Sequence, residues 1–113
     1  MTLVYKIISA EGWRQAKLAG VFTGAAIDLT DGYIHLSSDS QVEETAKRHF
    51  SGQKDLLLVA FEADALKNLK WEPSRGGALF PHVYGTIDPG AALWAKPLVF
   101  KDGAFEFPEG WRG

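Results

Sequence analysis

Two short segments, YIHLSS at 33–38 and FPHVY at 80–84, each set a histidine between aromatic or hydroxyl side chains two positions away. In an extended chain, residues two apart share a face. Tyr33, His35 and Ser37 therefore project together, as do Phe80, His82 and Tyr84. Imidazole changes charge near neutral pH, and two of them beside phenols, a hydroxyl and an aromatic wall make the mixture found in small-ligand pockets. Trp71, Glu72 and Arg75, just before the second segment, add a stacking surface, a carboxylate and a cation. Should the two strands meet, His35, Glu72 and His82 are the candidate catalytic groups. Tyr33, His35, Ser37, Trp71, Arg75, Phe80, His82 and Tyr84 are the candidate ligand contacts.

Each residue also has an ordinary role. A histidine on a strand is commonly a half-buried residue bonded to a neighbour, and His49, on the shoulder of an amphipathic helix, is read that way. Glu72 before Pro73 suits a solvated strand end, and Trp71 suits a core. Two imidazoles and a carboxylate are a known metal donor set, but His35, His82 and Glu72 lack any local ligand spacing, so no metal is expected. Ser37 shares a face with His35, yet no Gly-x-Ser-x-Gly elbow supports a nucleophile. The amides following Ser38 would face an anion together with Asp39, Glu43 and Glu44, which repel it. Arg75-Gly76-Gly77 is too short for a phosphate fingerprint.

The elements that must position these groups follow from periodicity. Leu3 to Ile8 is a β-branched and aromatic run suited to an opening strand. Ser9 caps a helix through about Ala19, with Gly20 at its left-handed end. A Thr, Gly and Ala loop with a turn at Thr30–Gly32 leads to the strand at Tyr33. Ser38 and Gln41 have the spacing of a capping box, followed by Val42, Thr45, Ala46, His49 and Phe50 at helical intervals, and Gly52 ends that helix. Asp55 to Ala63 is apolar on both faces and reads as a central strand. Asp64 to Leu69 allows a helical turn, Lys70 to Glu72 a short strand, and PSRGG a loop. Pro81 assigns Leu79–Ile87 to an edge or irregular strand. Ala92 to Phe100 is a further strand, and Asp102-Gly103 marks a hairpin. The tail after Phe107 is expected to be weakly ordered. Strands outnumber helices and crowd the second half, so the class is α+β with a mixed or antiparallel split sheet and two short helices.

With 113 residues, 46% hydrophobic and 23% charged, the chain suits one soluble domain over 1–113. No apolar run approaches the ~20 residues of a membrane span, and the start has no signal-peptide pattern. The expected location is cytoplasmic. Without cysteine there is neither a disulfide frame nor a thiol nucleophile. A net charge of −2 gives no basic surface for nucleic acid.

VYKI, DGYIHLSS, QVEETAKRHF, DLLLVAFE, KWEPSRGGALFPH and VYG together resemble a small bacterial family known as domain of unknown function 952, over nearly the whole chain. That family is grouped by fold with ADP-ribosyltransferase-like proteins, which bind NAD in a cleft between two small sheets. The resemblance implies NAD or a related nucleotide as ligand and partner, with its ring on an aromatic side chain and a histidine at its ribose. YIHLSS is also similar to the HLS strand of transferases that remove a phosphate from spliced transfer RNA. On that basis His35 is the first candidate to contact ligand, and His82 with Tyr84 the second. The first strand departs from the relatives, offering Tyr5 and Lys6 where they carry His or Arg. A late catalytic Glu in a recognisable motif is missing, leaving Glu72 as the carboxylate that would face positive charge on the ribose. The activity so implied is cleavage or transfer of ADP-ribose from NAD; a small-ligand-binding module, or an interaction domain, that keeps the cleft without the chemistry is the alternative.

Overall fold

A computed structural model describes residues 1–112, the side chain of Arg75 excepted; the ligand contact expected from Arg75 thus lies outside the described residues. Among the described residues, eight strands form two antiparallel sheets. The larger contains β1 (Leu3–Ser9), β3 (Ser37–Ser38), β4 (Leu56–Glu62), β7 (Ala92–Lys101) and β8 (Ala104–Glu106), in the order β3-β1-β4-β7-β8. The smaller contains β2 (Ile34–His35), β5 (Leu69–Pro73) and β6 (Leu79–Val83), in the order β2-β6-β5. The class is α+β, and the sheets are antiparallel rather than mixed.

β4 is central and apolar on both faces because both are covered. Val59 and Phe61 join Val4, Ile8, Trp13, Ile34 and Val83 on one side. Leu56, Leu58 and Ala60 join Tyr5, Val42, Ala46 and Leu98 on the other. The small sheet and α1 (Ala10–Ala19) close the first side, while α3 (Val42–Phe50) lies on the second. Ser9 Oγ accepts from the Gly12 amide at 3.0 Å, and Gly20 ends α1 at φ 77°. No helix among the described residues is long and apolar enough to cross a membrane.

Five local readings are corrected. The expected loop before Gly32 contains a third helix, α2 (Ala26–Asp31). It is missed because Ala25 stands at its N-cap in place of Ser, Thr or Asn; instead, Asp28 reaches back to accept from the Ala25 amide at 2.8 Å. Gly24 is required there: its φ is +118°, and a Cβ would stand 2.9 Å from Asp28 Cβ. The Ser38–Gln41 box forms one arm only, with Gln41 Oε1 accepting from the Ser38 amide at 3.0 Å, and α3 starts at Val42.

The strand expected from Tyr33 onward changes sheets at Leu36: Ile34 and His35 pair with β6, whereas Ser37 and Ser38 pair with β1. β6 is accordingly a central strand despite Pro81. Leu36 N–H donates to Pro81 O at 3.0 Å, so the donor that proline lacks lies where the β2 ladder stops. The tail is docked as well, since Tyr5 Oη donates to Trp111 O at 3.0 Å and the two rings meet edge-on at 5.2 Å.

Candidate functional site

Because 34–38 crosses between the sheets, His35 lies directly opposite His82 on β6. Their ring centroids are 5.5 Å apart. Tyr33 stacks on His82 at 4.3 Å and touches His35 at 4.6 Å and Tyr84 at 5.2 Å. The two histidine segments recognised in the sequence thus form one cluster.

Each ring has its own carboxylate. His82, 3% exposed, has Nδ1 2.8 Å from Glu72 Oε1, which also accepts from Tyr84 Oη at 2.7 Å. These hydrogen bonds, from His82 and then Tyr84, hold the Glu72 carboxyl below its usual range. The ionised carboxylate has no proton to give, so Nδ1 carries the proton that joins them. Its own bond to Glu72 pushes the Tyr84 phenol up to about 12. Tyr84 is therefore expected to ionise well above the ordinary phenol range in a spectrophotometric titration. In Glu72→Gln its midpoint should move down towards the ordinary ~10.

His35 is held from both ends. Nδ1 is 2.7 Å from Asp28 Oδ1, and Nε2 is 2.9 Å from Asp31 Oδ2. A neutral imidazole has one N–H, so only the doubly protonated ring satisfies both contacts. Asp28, 2% exposed, also accepts from the His35 amide and from Lys6 Nζ, which lies 3.0 and 2.8 Å from its two oxygens. Lys6 Nζ donates in addition to His35 O at 2.9 Å. Burial alone would raise Asp28, but the Lys6 charge and the bonds from Lys6 and His35 outweigh it and hold the carboxyl below its usual value. Burial pushes the Lys6 amine down, with Asp28 opposing.

A cavity of about 590 Å³ opens beside this cluster, lined by Asp31, His35, Ser37, Phe80 and His82, with Thr45, His49 and Phe50 of α3 opposite. Ser37 Oγ donates to Thr45 Oγ1 at 3.2 Å. Tyr33, Glu72 and Tyr84 stand behind the histidines and are absent from this lining. Trp71 departs from expectation. It pairs with Pro81, whereas Glu72 pairs with Phe80 and Lys70 with His82, so Trp71 projects from the opposite face of the small sheet. A larger cavity, of about 700 Å³, is bordered by α1 and the start of α2, and Lys6, already tied to Asp28, is the one ionisable group among its described lining residues. The histidine–carboxylate cluster borders the smaller cavity. Among the described residues no three His, Cys, Asp or Glu side chains are grouped to hold a metal ion.

Lys6, Asp28, Asp31 and the cavity position of His49 escaped the reading of the sequence as site residues. A lysine inside the apolar run VYKII is itself a signal, because a buried ammonium needs a carboxylate. Nothing local identifies Asp28 as that partner.

The protein CC0527 from Caulobacter crescentus is similar in sequence and structure. Its crystal structure is 47% identical, with 93% of this chain and 94% of that one covered and a TM-score of 0.89. Its solution NMR structure is 46% identical, with 93% and 91% covered and a TM-score of 0.83. No curated protein matches. The profile of the family described as Protein of unknown function (DUF952) matches residues 7–95, and the chain belongs to that family.

Proposed function

We propose that this protein is an ADP-ribosyltransferase-like domain that binds NAD or a related nucleotide in the cleft beside the small sheet and cleaves the nicotinamide–ribose bond. The observation that carries the reading is the convergence of two carboxylate-bound histidines on one cavity between the sheets. Phe80 supplies an aromatic surface for a planar ring, and Ser37 a hydroxyl in the same lining to bond a ribose. Glu72 is engaged by His82 and Tyr84. Asp31 is the carboxylate in the lining, and it is the better placed to face positive charge on the ribose as nicotinamide leaves.

One observation favours a binding module without chemistry. Both nitrogens of His35 are already taken by carboxylates, which suits a fixed wall better than a proton carrier.

Thermal denaturation with millimolar NAD, ADP-ribose or nicotinamide tests binding. A ligand at ~100 times its Kd adds about 2.7 kcal/mol, roughly 10 °C at about 4 °C per kcal/mol for a domain of this size. No shift with any of the three would overturn the nucleotide reading. Given a shift, release of free nicotinamide on prolonged incubation separates the enzyme from the binding module.

A further inference from the structure

We infer that His82 is the general base of the site, positioned by Glu72, and that the group it activates is a hydroxyl, either water or an alcohol. This rests on the NAD reading above and adds to it the catalytic base and the class of acceptor.

The two histidines differ in one respect that matters for proton transfer. His35 has carboxylates at both nitrogens. His82 has one at Nδ1 only, and no hydrogen-bond partner of its Nε2 is found among the described residues. With Nδ1 protonated against Glu72, the neutral ring presents a lone pair at Nε2, beside the cavity that His82 lines. A carboxylate behind a histidine fixes its tautomer and ring orientation and stabilises the imidazolium that forms. Tyr84 anchors the same Glu72 oxygen, and Tyr33 stacks on the ring, so the base is held at Nδ1 and against one face. Glu72 lies outside the cavity lining and acts through His82; it is a positioning residue.

The step balances without a further reactant. The acceptor oxygen attacks the ribose carbon that bears nicotinamide, and its proton passes to His82 Nε2. The carbon–nitrogen bond breaks, and its electron pair goes to the pyridinium nitrogen, so nicotinamide leaves neutral. The imidazolium then returns its proton to solvent. With water the product is ADP-ribose; with an alcohol it is an O-linked ADP-riboside. A hydroxyl needs such a base because it is a weak nucleophile while it keeps its proton.

Wild type, His82→Gln and Glu72→Gln are incubated with NAD, with and without molar methanol. Nicotinamide and methyl ADP-riboside are quantified by mass spectrometry, and NAD-dependent stabilisation is measured on the same samples. Wild type should release nicotinamide and, with methanol present, form the methyl riboside. His82→Gln should lose about 100-fold or more in kcat, the scale of general base catalysis. Glu72→Gln should lose at least 10-fold in kcat at unchanged KM and with NAD stabilisation retained, which a structural role alone would not produce. Should His82→Gln fail to fold, Glu72→Gln carries the test. No stabilisation by NAD would overturn both this inference and the reading beneath it. Stabilisation with no nicotinamide release by wild type would overturn this inference and reduce the reading beneath it to a binding module, whereas release undiminished in the variants would overturn this inference alone.

Discussion

Asp28→Ala is expected to cost about 3–5 kcal/mol of folding stability, the range for breaking a buried ion pair from one side. Lys6 and Asp28 are 7% and 2% exposed, and Lys6 Nζ lies within 3.0 Å of both carboxylate oxygens. Removing the acid strands a buried ammonium and leaves the Ala25 and His35 amides without their acceptor. The double variant Lys6→Met/Asp28→Ala should be more stable than Asp28→Ala alone, because it removes the stranded charge. Urea denaturation at neutral pH reads both, and a loss below about 1 kcal/mol for Asp28→Ala would show that the pair bears little of the fold.

The pH dependence has a defined sign. The folded carboxyl of Asp28 is held below its usual value, so as pH falls through ~4 the unfolded chain takes up the proton first. The stabilisation is complete above that point and drains away as pH falls through the lower folded value. Asp28→Asn should lack this component of acid unfolding.

Where periodicity alone decides, the chain is legible. β1, α1, β4 and the Asp102-Gly103 hairpin form as their residues dictate, with Asp102 and Gly103 at φ 53° and 82°. The shared face of Phe80 and His82 is equally readable, since alternation needs only a strand. The pairing of His35 with His82 lies beyond local pattern. It depends on the chain leaving one sheet for the other at Leu36, a consequence of what Ile34, Leu36 and Ser37 meet across space. Trp71 shows the limit in the other direction: its sequence neighbour Glu72 reaches the cluster, yet one step along a strand reverses the face. α2 is hidden because its cap is made by a side chain inside the helix, and the carboxylate that makes it is the one that anchors Lys6. Polar partners distant in sequence carry no periodic signature.

Ile34→Ala is expected to cost about 2–5 kcal/mol and to weaken ligand binding along with stability. β2 is two residues long, and its ladder to β6 consists of Ile34 opposite Val83 and His35 opposite His82. So short a strand owes its position to burial. Ile34 is 1% exposed and packs in the cluster that contains Val4, Phe22, Val83 and Ile87. Truncation leaves a void directly beneath the backbone that presents His35, whereas Ile34→Val, removing one methylene, should cost about 0.5–1.5 kcal/mol and leave binding intact. Leu98→Ala provides the comparison. Leu98 is 2% exposed in the second core cluster, outside the lining of the 590 Å³ cavity. It should lose stability on a similar scale while keeping in full the rise in melting temperature with NAD that the proposed nucleotide site predicts. Equal loss of that rise in Ile34→Ala and Leu98→Ala would mean that the cavity responds to overall stability. Loss confined to Ile34→Ala ties it to the seating of the strand that changes sheets.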